Sequence, residues 1–434
     1  MYIRRKMKLL ALLISVSCLT IAVANRASFG GEVASLHEVA EVDFVGDFKI
    51  KESILRNEIE LRPGSNFSKD EWIRDRKRIA SLGVFSEVSS DTARTPEGIK
   101  VNYRLKEMWT LIPFLSIGGE LDNIDIDIGL KDKDFLGLYI EPGVMFSRFE
   151  SRNSYSAWLN WPRVLQTKFS VGVAYSNAHS REPAYVRSET YLHHYDVKRV
   201  SISGTISKRL SEVFVAGVGV TYRTQRFRLE ESELPVVSLL DRRNDRRFRP
   251  SAFFSVGRIY YDDYFYEGAD LTAIGDIIAI DRHDYEPKYW MLKLELRSYL
   301  VQMNRLNFCS RAFFGTSKTD DILPVFAVSG FSNIRGTDDR YRRGSKIYYI
   351  NNELRVRAYQ DRFFHGQLTA FVDAGDAWDD KLSLSELVEE SYLTGGIGLR
   401  VAFRRFYSAI GRADLAYNTN NGEWTLYFSA GQFF

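Results

Sequence analysis

Two hydrophobic periodicities divide the chain. From about residue 110 onward apolar and polar positions alternate. Ile124-Asp125-Ile126-Asp127-Ile128, Val200-Ser201-Ile202-Ser203 and Leu292-Lys293-Leu294-Glu295-Leu296-Arg297 each place aliphatic side chains on one face and polar ones on the other, the period of a β-strand. About 16 such segments start near Thr110, Asn123, Gly137, Ser154, Thr167, Lys198, Val213, Pro250, Tyr266, Lys288, Arg305, Lys346, Gly366, Leu393, Ala409 and Trp424, an even count that suits a bacterial barrel. Their connections alternate in length: 162–166, 208–212, 302–304 and 404–408 are short, whereas 176–197, 228–249, 277–287 and 376–392 are long. Barrels of the outer membrane have short turns on one rim and long loops on the other.

Residues 36–108 follow a different pattern. A short strand at Val42–Val45 precedes a helical face carrying Ile50, Ile54 and Leu55. Ser68-Lys69-Asp70-Glu71 has the form of a capping box, with Phe67 and Trp72 placed as a hydrophobic staple. Trp72, Ile73, Ile79, Ala80 and Leu82 form a helical stripe, and Gly83 ends it. Val84–Ser90 and Ile99–Leu105 then alternate as two strands. The expected order is β-α-α-β-β. From Leu36 to Met108 there are 13 Lys and Arg against 14 Asp and Glu, a balance that suits protein binding and not nucleic acid.

The N-terminus reads as a secretory leader. Arg4, Arg5, Lys6 and Lys8 precede the apolar run Leu9–Val23, and Ala22-Val23-Ala24 is a small-residue cleavage site. The expected organisation is a cleaved signal peptide at 1–24, a linker at 25–35, the small domain at 36–108 and the barrel at 110–434. Loss of the leader's four cations takes the formal net charge from +3 to −1, so basicity is no argument for nucleic acid. Cys309 is then the sole cysteine, and an exported chain with one cysteine has no internal disulfide.

Composition narrows the class further. With 24 Tyr, 29 Phe and 7 Trp the chain favours β-structure or a membrane interface. Past the leader no apolar run approaches the ~20 residues of a spanning helix. Alternation alone fits a soluble sandwich as well as a membrane barrel. The leader, the charge on strand after strand and an aromatic C-terminus favour the barrel, with Leu426, Phe428, Ala430 and Phe434 expected on one lipid-facing side. The fold class is therefore mainly β, a transmembrane antiparallel barrel of about 16 strands behind one small periplasmic domain.

Catalytic signatures do not appear. HExxH, GxSxG, P-loop and GxGxxG patterns are missing, and Asp125, Asp127 and Gly129 lack the glutamate of a calcium loop. No enzyme, metal or cofactor is expected. Asp241–Arg249, with five arginines, reads as a solvated external loop or as one that contacts anionic headgroups.

The 30-residue connection from Ser317 to Lys346 is long for a structureless loop and is not of low complexity. Its centre reads Gly330-Phe331-Ser332-Asn333-Ile334-Arg335-Gly336-Thr337. Glu353 and Arg355 follow on the polar face of one strand, then Phe371-Val372-Asp373-Ala374-Gly375 and Gly396-Ile397-Gly398-Leu399-Arg400. In order and spacing these segments resemble the BamA/TamA superfamily of outer-membrane assembly and translocation proteins. Ile334-Arg335-Gly336 is similar to its V-R-G-[FY] loop, with Thr337 in place of the aromatic. Phe371–Gly375 is similar to its F-x-D-x-G strand, and the terminal Phe434 also fits. The N-terminal domain resembles a single polypeptide-transport-associated (POTRA) domain, where assembly factors of the family usually carry several.

The resemblance implies that the loop folds into the lumen and that Arg335 meets Asp373 and Glu353 on the wall, with Gly375, Gly396, Gly398 and Arg400 as barrel motif residues. It implies insertion or export of nascent outer-membrane or secreted polypeptides, periplasmic or lipoprotein partners at the POTRA domain, and contact with membrane lipids, lipopolysaccharide among them. The alternative is a passive porin or structural outer-membrane protein. A seam is expected where Thr110–Gly119 meets Trp424–Phe434. Pro113, Gly118, Gly119 and Gly431 weaken pairing there, and Phe428 and Phe434 line it.

Overall fold

The computed structural model describes residues 37–120, 123–149, 152–186, 191–232, 242–262, 264–280, 289–303, 305–319, 325–330, 332–337, 342–379, 390–403 and 410–434. The expected leader and linker lie outside the described residues.

The N-terminal unit runs β1 (Val39–Asp47), α1 (Glu52–Glu58), α2 (Lys69–Ala80), β2 (Phe85–Thr95) and β3 (Gly98–Glu107). Its sheet has the order β1-β3-β2, with β1 parallel and β2 antiparallel to β3. β2 therefore carries a free edge within this sheet, and β1 one that is bonded at its start to Gly64 and Ser65. At the start of α2 the Ser68 hydroxyl accepts from the Glu71 N–H at 3.4 Å, and Phe67 lies 6.4 Å from Trp72. The Glu71 carboxylate does not return to the cap. It turns to Arg74 at 2.6 Å and to Arg78, because two guanidiniums, one and two turns on, are stronger partners than one amide. Ile54, Leu55, Ile79, Val101 and Leu105 form the core, while Ile73 faces out.

Sixteen antiparallel strands follow. They begin with β4 (Leu111–Glu120), β5 (Asn123–Asp132), β6 (Glu141–Phe149), β7 (Arg152–Trp161), β8 (Phe169–Val186) and β9 (Tyr191–Arg209). Next come β10 (Phe214–Ser232), β11 (Arg242–Asp262), β12 (Phe265–Ile280), β13 (Tyr289–Gln302) and β14 (Leu306–Lys318). A small ribbon of β15 (Phe326–Ala327) and β16 (Arg343–Gly344) lies in the long loop. The wall resumes with β17 (Lys346–Gln360), β18 (Phe364–Trp378), β19 (Tyr392–Phe403), β20 (Ile410–Asn418) and β21 (Trp424–Ala430). Leu115, Ile128, Val144, Val218, Leu368 and Phe428 are all exposed on the outer face. Alternate positions bury polar groups inside, which is the inverted pattern of a transmembrane barrel.

Strand boundaries depart from the sequence reading in three places. The expected long loops 176–197 and 228–249 are mostly strand. Cross-strand pairing continues through Val186↔Tyr191 and Arg228↔Arg242, so His193, His194 and the arginines from Arg242 on lie in the sheet. Polar composition there marks a ladder that has left the apolar belt, because backbone pairing does not require apolar side chains on both faces. The strand expected at Gly137 starts at Glu141, and Leu136, Gly137 and Tyr139 form a turn with positive φ. The last strand stops at Ala430.

The N-terminal unit sits on the rim that carries the short turns. Tyr139 inserts into its core and donates to the Leu82 carbonyl at 3.0 Å. Glu58, at the end of α1, is 3% exposed. Three barrel arginines converge on it: Arg163 at 2.6 Å, Arg209 at 3.2 Å and Arg258 at 3.4 Å. Arg78, buried on α2, donates to the Glu58 carbonyl at 2.9 Å and to Glu212 of the barrel at 2.6 Å. Lys77 reaches Glu267 at 2.5 Å. Burial alone would raise the Glu58 carboxyl, but the guanidiniums of Arg163, Arg209 and Arg258 outweigh it and hold the group below its usual 4.5. A depressed carboxyl contributes docking energy above its unfolded value and loses it as pH falls through the docked value.

Glu58→Gln is expected to release the N-terminal unit, since removing one partner of a buried ion cluster costs about 3–5 kcal/mol. Spin-label distances between residues 94 and 165 of the full chain should be narrow at pH 7 and broaden below pH 4.5. In Glu58→Gln they should be broad at both. Narrow distances in the variant would show that docking does not rest on this carboxylate.

Candidate functional site

Loop residues 333–337 are packed against the inside of the barrel wall. Ile334, fully buried, joins Phe326, Val328, Ile347 and Tyr349 in an apolar cluster. Asn333 closes the turn before it, accepting from the Ser329 N–H at 2.8 Å and donating to the Ala327 carbonyl at 2.9 Å. Asn351 of β17 donates to the Asn333 carbonyl at 2.8 Å. Thr337 donates to the Ile334 carbonyl at 2.8 Å, so a hydroxyl at this position closes the turn from within.

Arg335 is 1% exposed. Its Nε and Nη2 donate to the two oxygens of Asp373 at 2.8 and 3.0 Å, a bidentate pair, and Nη1 donates to Glu353 at 2.7 Å. The same Asp373 accepts the Arg335 backbone N–H at 3.2 Å. The guanidinium lies between two aromatic rings, 3.4 Å from the centroid of Phe371 and 4.1 Å from that of Phe433. Desolvated contacts of this kind contribute about 2 kcal/mol each. The wall side extends the network. Glu353 also accepts from Arg355 at 2.7 Å and from Arg400 at 3.2 Å, and Arg400 donates to Asp414 at 2.6 Å.

Glycines make room for these layers. A Cβ on Gly396 would lie 2.5 Å from the Phe371 ring, and one on Gly398 would lie 2.1 Å from the Asp414 carboxylate. Gly336 has φ +84°, its N–H donates to the Tyr427 hydroxyl at 3.0 Å, and its carbonyl accepts from Asn418 at 2.9 Å. Gly375 packs against the backbone of Tyr348 and Tyr349 on the neighbouring strand.

The C-terminal residues correct the sequence reading. Leu426 and Phe428 are exposed on the outer face, but Phe434 does not share it. Gly431, with φ +85°, turns the chain inward. Phe433 then stacks on Arg335, the Phe434 carbonyl accepts from Arg355 at 3.0 Å, and the Phe434 ring lies 6.3 Å from Tyr299. Buried cations draw the aromatic tail inside, and alternation cannot register a turn at glycine.

The seam has no ladder. β4 and β21 are the two ends of the sheet order, and no pairing joins them among the described residues, although their Cα atoms approach within 8 Å. Pro113 pairs with Leu130, and Gly118 and Gly119 pair with Asp125 and Ile124, all on the β5 side. Asp414, Asn418, Tyr427 and Phe433 were missed by the sequence reading. The alternation of Arg412 and Asp414 on one face of β20 was the available signal for the first. Among the described residues no group of three or more His, Cys, Asp or Glu side chains is placed to hold a metal.

Residues 37–108 match the POTRA family profile, described as surface antigen variable number repeat. The N-terminal unit is a POTRA domain. Over the whole chain the fold is similar to that of BamA from Haemophilus ducreyi lacking POTRA domains 1–3, at 16% identity and TM-score 0.54, covering 92% of this chain and 85% of that one. CdiB from Escherichia coli is similar at 12% identity and TM-score 0.55, over 90% and 76% of the two chains. CdiB from Acinetobacter baumannii gives 15% and 0.51, over 91% and 73%. The chain is thus a POTRA domain on a barrel of the BamA and CdiB fold. Its apolar outer belt makes it an outer-membrane barrel, with the POTRA domain on the periplasmic, short-turn rim.

Arg335→Ala should leave the barrel folded, seen as an unchanged heat-modifiable band, while exposing 325–337 to protease. Loss of the buried cation costs about 3–5 kcal/mol of loop attachment. Arg335→Lys should fall between, because an ammonium makes neither the bidentate pair nor the flat stack. Protection equal to wild type in both variants would remove Arg335 as the attachment point.

Proposed function

We propose that this protein inserts or translocates polypeptides at the outer membrane. A nascent outer-membrane or secreted chain is received at the POTRA domain by strand addition, and the barrel opens at the seam between β4 and β21. The observation that carries this reading is the unpaired seam. In lipid every unsatisfied backbone group is costly, so a barrel that leaves one strand pair without a ladder presents edges ready to accept another strand. Gly431, with positive φ, follows the end of β21 at Ala430. The POTRA edges of β1 and β2 support the first step, and periplasmic or lipoprotein partners would bind the same domain. The loop residues Ile334, Arg335 and Gly336, with Glu353 and Asp373, hold the loop and the C-terminal tail in the lumen, which leaves the seam short. The fold shared with BamA and CdiB supports insertion or export at this coarser level.

A passive porin is the other reading. It requires an open lumen, and a loop seated on the wall together with an inward tail disfavours it. In proteoliposomes the protein should speed the folding of an eight-stranded outer-membrane barrel precursor several-fold, read by heat-modifiability, while passing little single-channel current. Cysteines must sit on one face to lock the seam. Leu111 and Leu115 are exposed like Phe428, whereas Ile112 points inside. With Cys309 replaced, Leu115→Cys or Leu111→Cys against Phe428→Cys should crosslink and abolish the acceleration. A fully oxidised protein that still accelerates folding at the wild-type rate would rule out lateral opening.

A further inference from the structure

The long loop between β14 and β17 touches both sides of the lumen. Its ribbon, β15 with β16, is rooted on the wall from β12 to β18. Phe326 packs with Ile278, Ile280 and Ile347, and Gly344 lies so close to β18 that a Cβ would fall 2.2 Å from the Trp378 backbone nitrogen. Arg342 donates to Asp376 at 3.0 Å and to the Glu390 carbonyl at 2.9 Å, on the same side. Arg343, the next residue, points the other way. Its Nη2 donates to Glu182 of β8 at 2.7 Å and its Nε to the Pro183 carbonyl at 3.1 Å. The Arg343 side chain is 9% exposed and that of Glu182 3%, so the bond is largely shielded from water. One arginine and one glutamate side chain thus bridge from the loop beside β18 to β8.

The placement of the two walls gives this bond leverage. In the order round the barrel β8 is the fifth of the sixteen strands and β18 the thirteenth, eight places apart in either direction. The seam of β21 and β4 falls at the middle of one arc, and β12 at the middle of the other. Neighbouring strands elsewhere in the wall are joined by ladders. If the seam edges part while those ladders hold, the half-walls swing about β12 and β8 moves away from β18. A side-chain bridge between them is stretched by that motion, and a hydrogen bond tolerates little stretch before it weakens. The bond is also one that can be released. When Arg343 leaves, Glu182 keeps Arg199 of β9 and the Ser180 hydroxyl at 2.9 Å. Release therefore orphans no buried carboxylate, the step that makes most buried pairs costly to open.

We propose that Arg343 and Glu182 form a releasable strap across the extracellular mouth, which holds the seam between β4 and β21 narrow until the bond is broken. This rests on the reading of the seam as the place where the barrel opens. The strap is separate from the Arg335 attachment. Arg335 fixes the loop to one wall, whereas Arg343 joins that wall to the opposite one. The controlling event is then the loss of one ion pair at the mouth, with the rest of the loop still seated.

Spin labels on Leu115→Cys and Phe428→Cys, in the full chain with Cys309 replaced, read the seam width. Arg343→Ala and Glu182→Gln cut the strap from its two ends, and each should lengthen the label distance by one strand spacing or more, about 5 Å. Arg343→Lys keeps a charge but not the two-point contact and should fall between. Arg343→Ala should keep the wild-type protease protection of 325–337, because Arg335 stays seated. Wild-type label distances in a variant with a normal heat-modifiable band overturn the strap. So does loss of that protection, since Arg343 would then act only through the Arg335 attachment. The distances judge the strap by themselves. Whether the wider seam also speeds precursor folding several-fold judges the reading of the seam, and a wide seam with no such gain counts against that reading alone.

Discussion

A guanidinium sealed inside a barrel cannot be left partly satisfied, and much of this molecule is arranged around that requirement. Arg335 is almost fully buried, and all three of its nitrogens are engaged by Asp373 and Glu353. The two faces of the planar group are covered by Phe371 and Phe433. These partners come from three separate stretches of chain: β17, β18 and the C-terminal tail. One charged group therefore joins a loop, two wall strands and the chain terminus, and moving any of them exposes an ion to an environment with few substitutes. The glycines of β19 follow from the same geometry, because a Phe371 ring lying flat under the guanidinium needs Gly396 behind it.

The inward tail connects this cluster to the seam. A barrel strand that continued past Ala430 could extend toward β4, but the chain turns inward at Gly431, and Phe433 and Phe434 are held by Arg335 and Arg355. The residues that would lengthen β21 are thus engaged by buried cations inside the barrel. A loop far away in sequence is thereby in contact with the chain segment that follows the last strand.

How much of this could be read from the sequence depends on the range of the interaction. Alternation is local, and each expected strand start has a counterpart in the barrel, with Asn123, Lys346 and Trp424 falling at the same residues. The capping serine and its staple are equally local. The pairing of Arg335 with Asp373 and Glu353 could be named only because linear motifs resembled those of a known family. Long-range choices carried no such mark. Glu58 reads as an ordinary helix-terminal acid until Arg163, Arg209 and Arg258 arrive from three different parts of the barrel. Asp75 looks like a solvated helical residue, yet it is fully buried and accepts the N–H groups of Glu60 and Leu61. The extended sheet of β8 to β11 was hidden for the opposite reason. Its composition is that of a loop, and only the register of backbone partners shows that it is strand.

The two rims use charge in different ways, and the difference follows from what surrounds them. At the periplasmic rim Glu58, Arg163, Arg258, Glu212 and Arg78 are interleaved and mostly buried, so their fields cancel over a few ångströms and fix one orientation of the POTRA domain. A single domain held in this way cannot sweep a wide volume of periplasm. It presents the edges of β1 and β2 from a set position beside the barrel. At the far rim, above the belt, Lys198, Arg226 and Arg246 share one exposed face of the sheet. Paired charges in a dry contact give geometry, whereas charges at a wet surface are screened. The seam between β4 and β21 runs from a rim fixed by buried ion pairs to a rim whose outer charges face water.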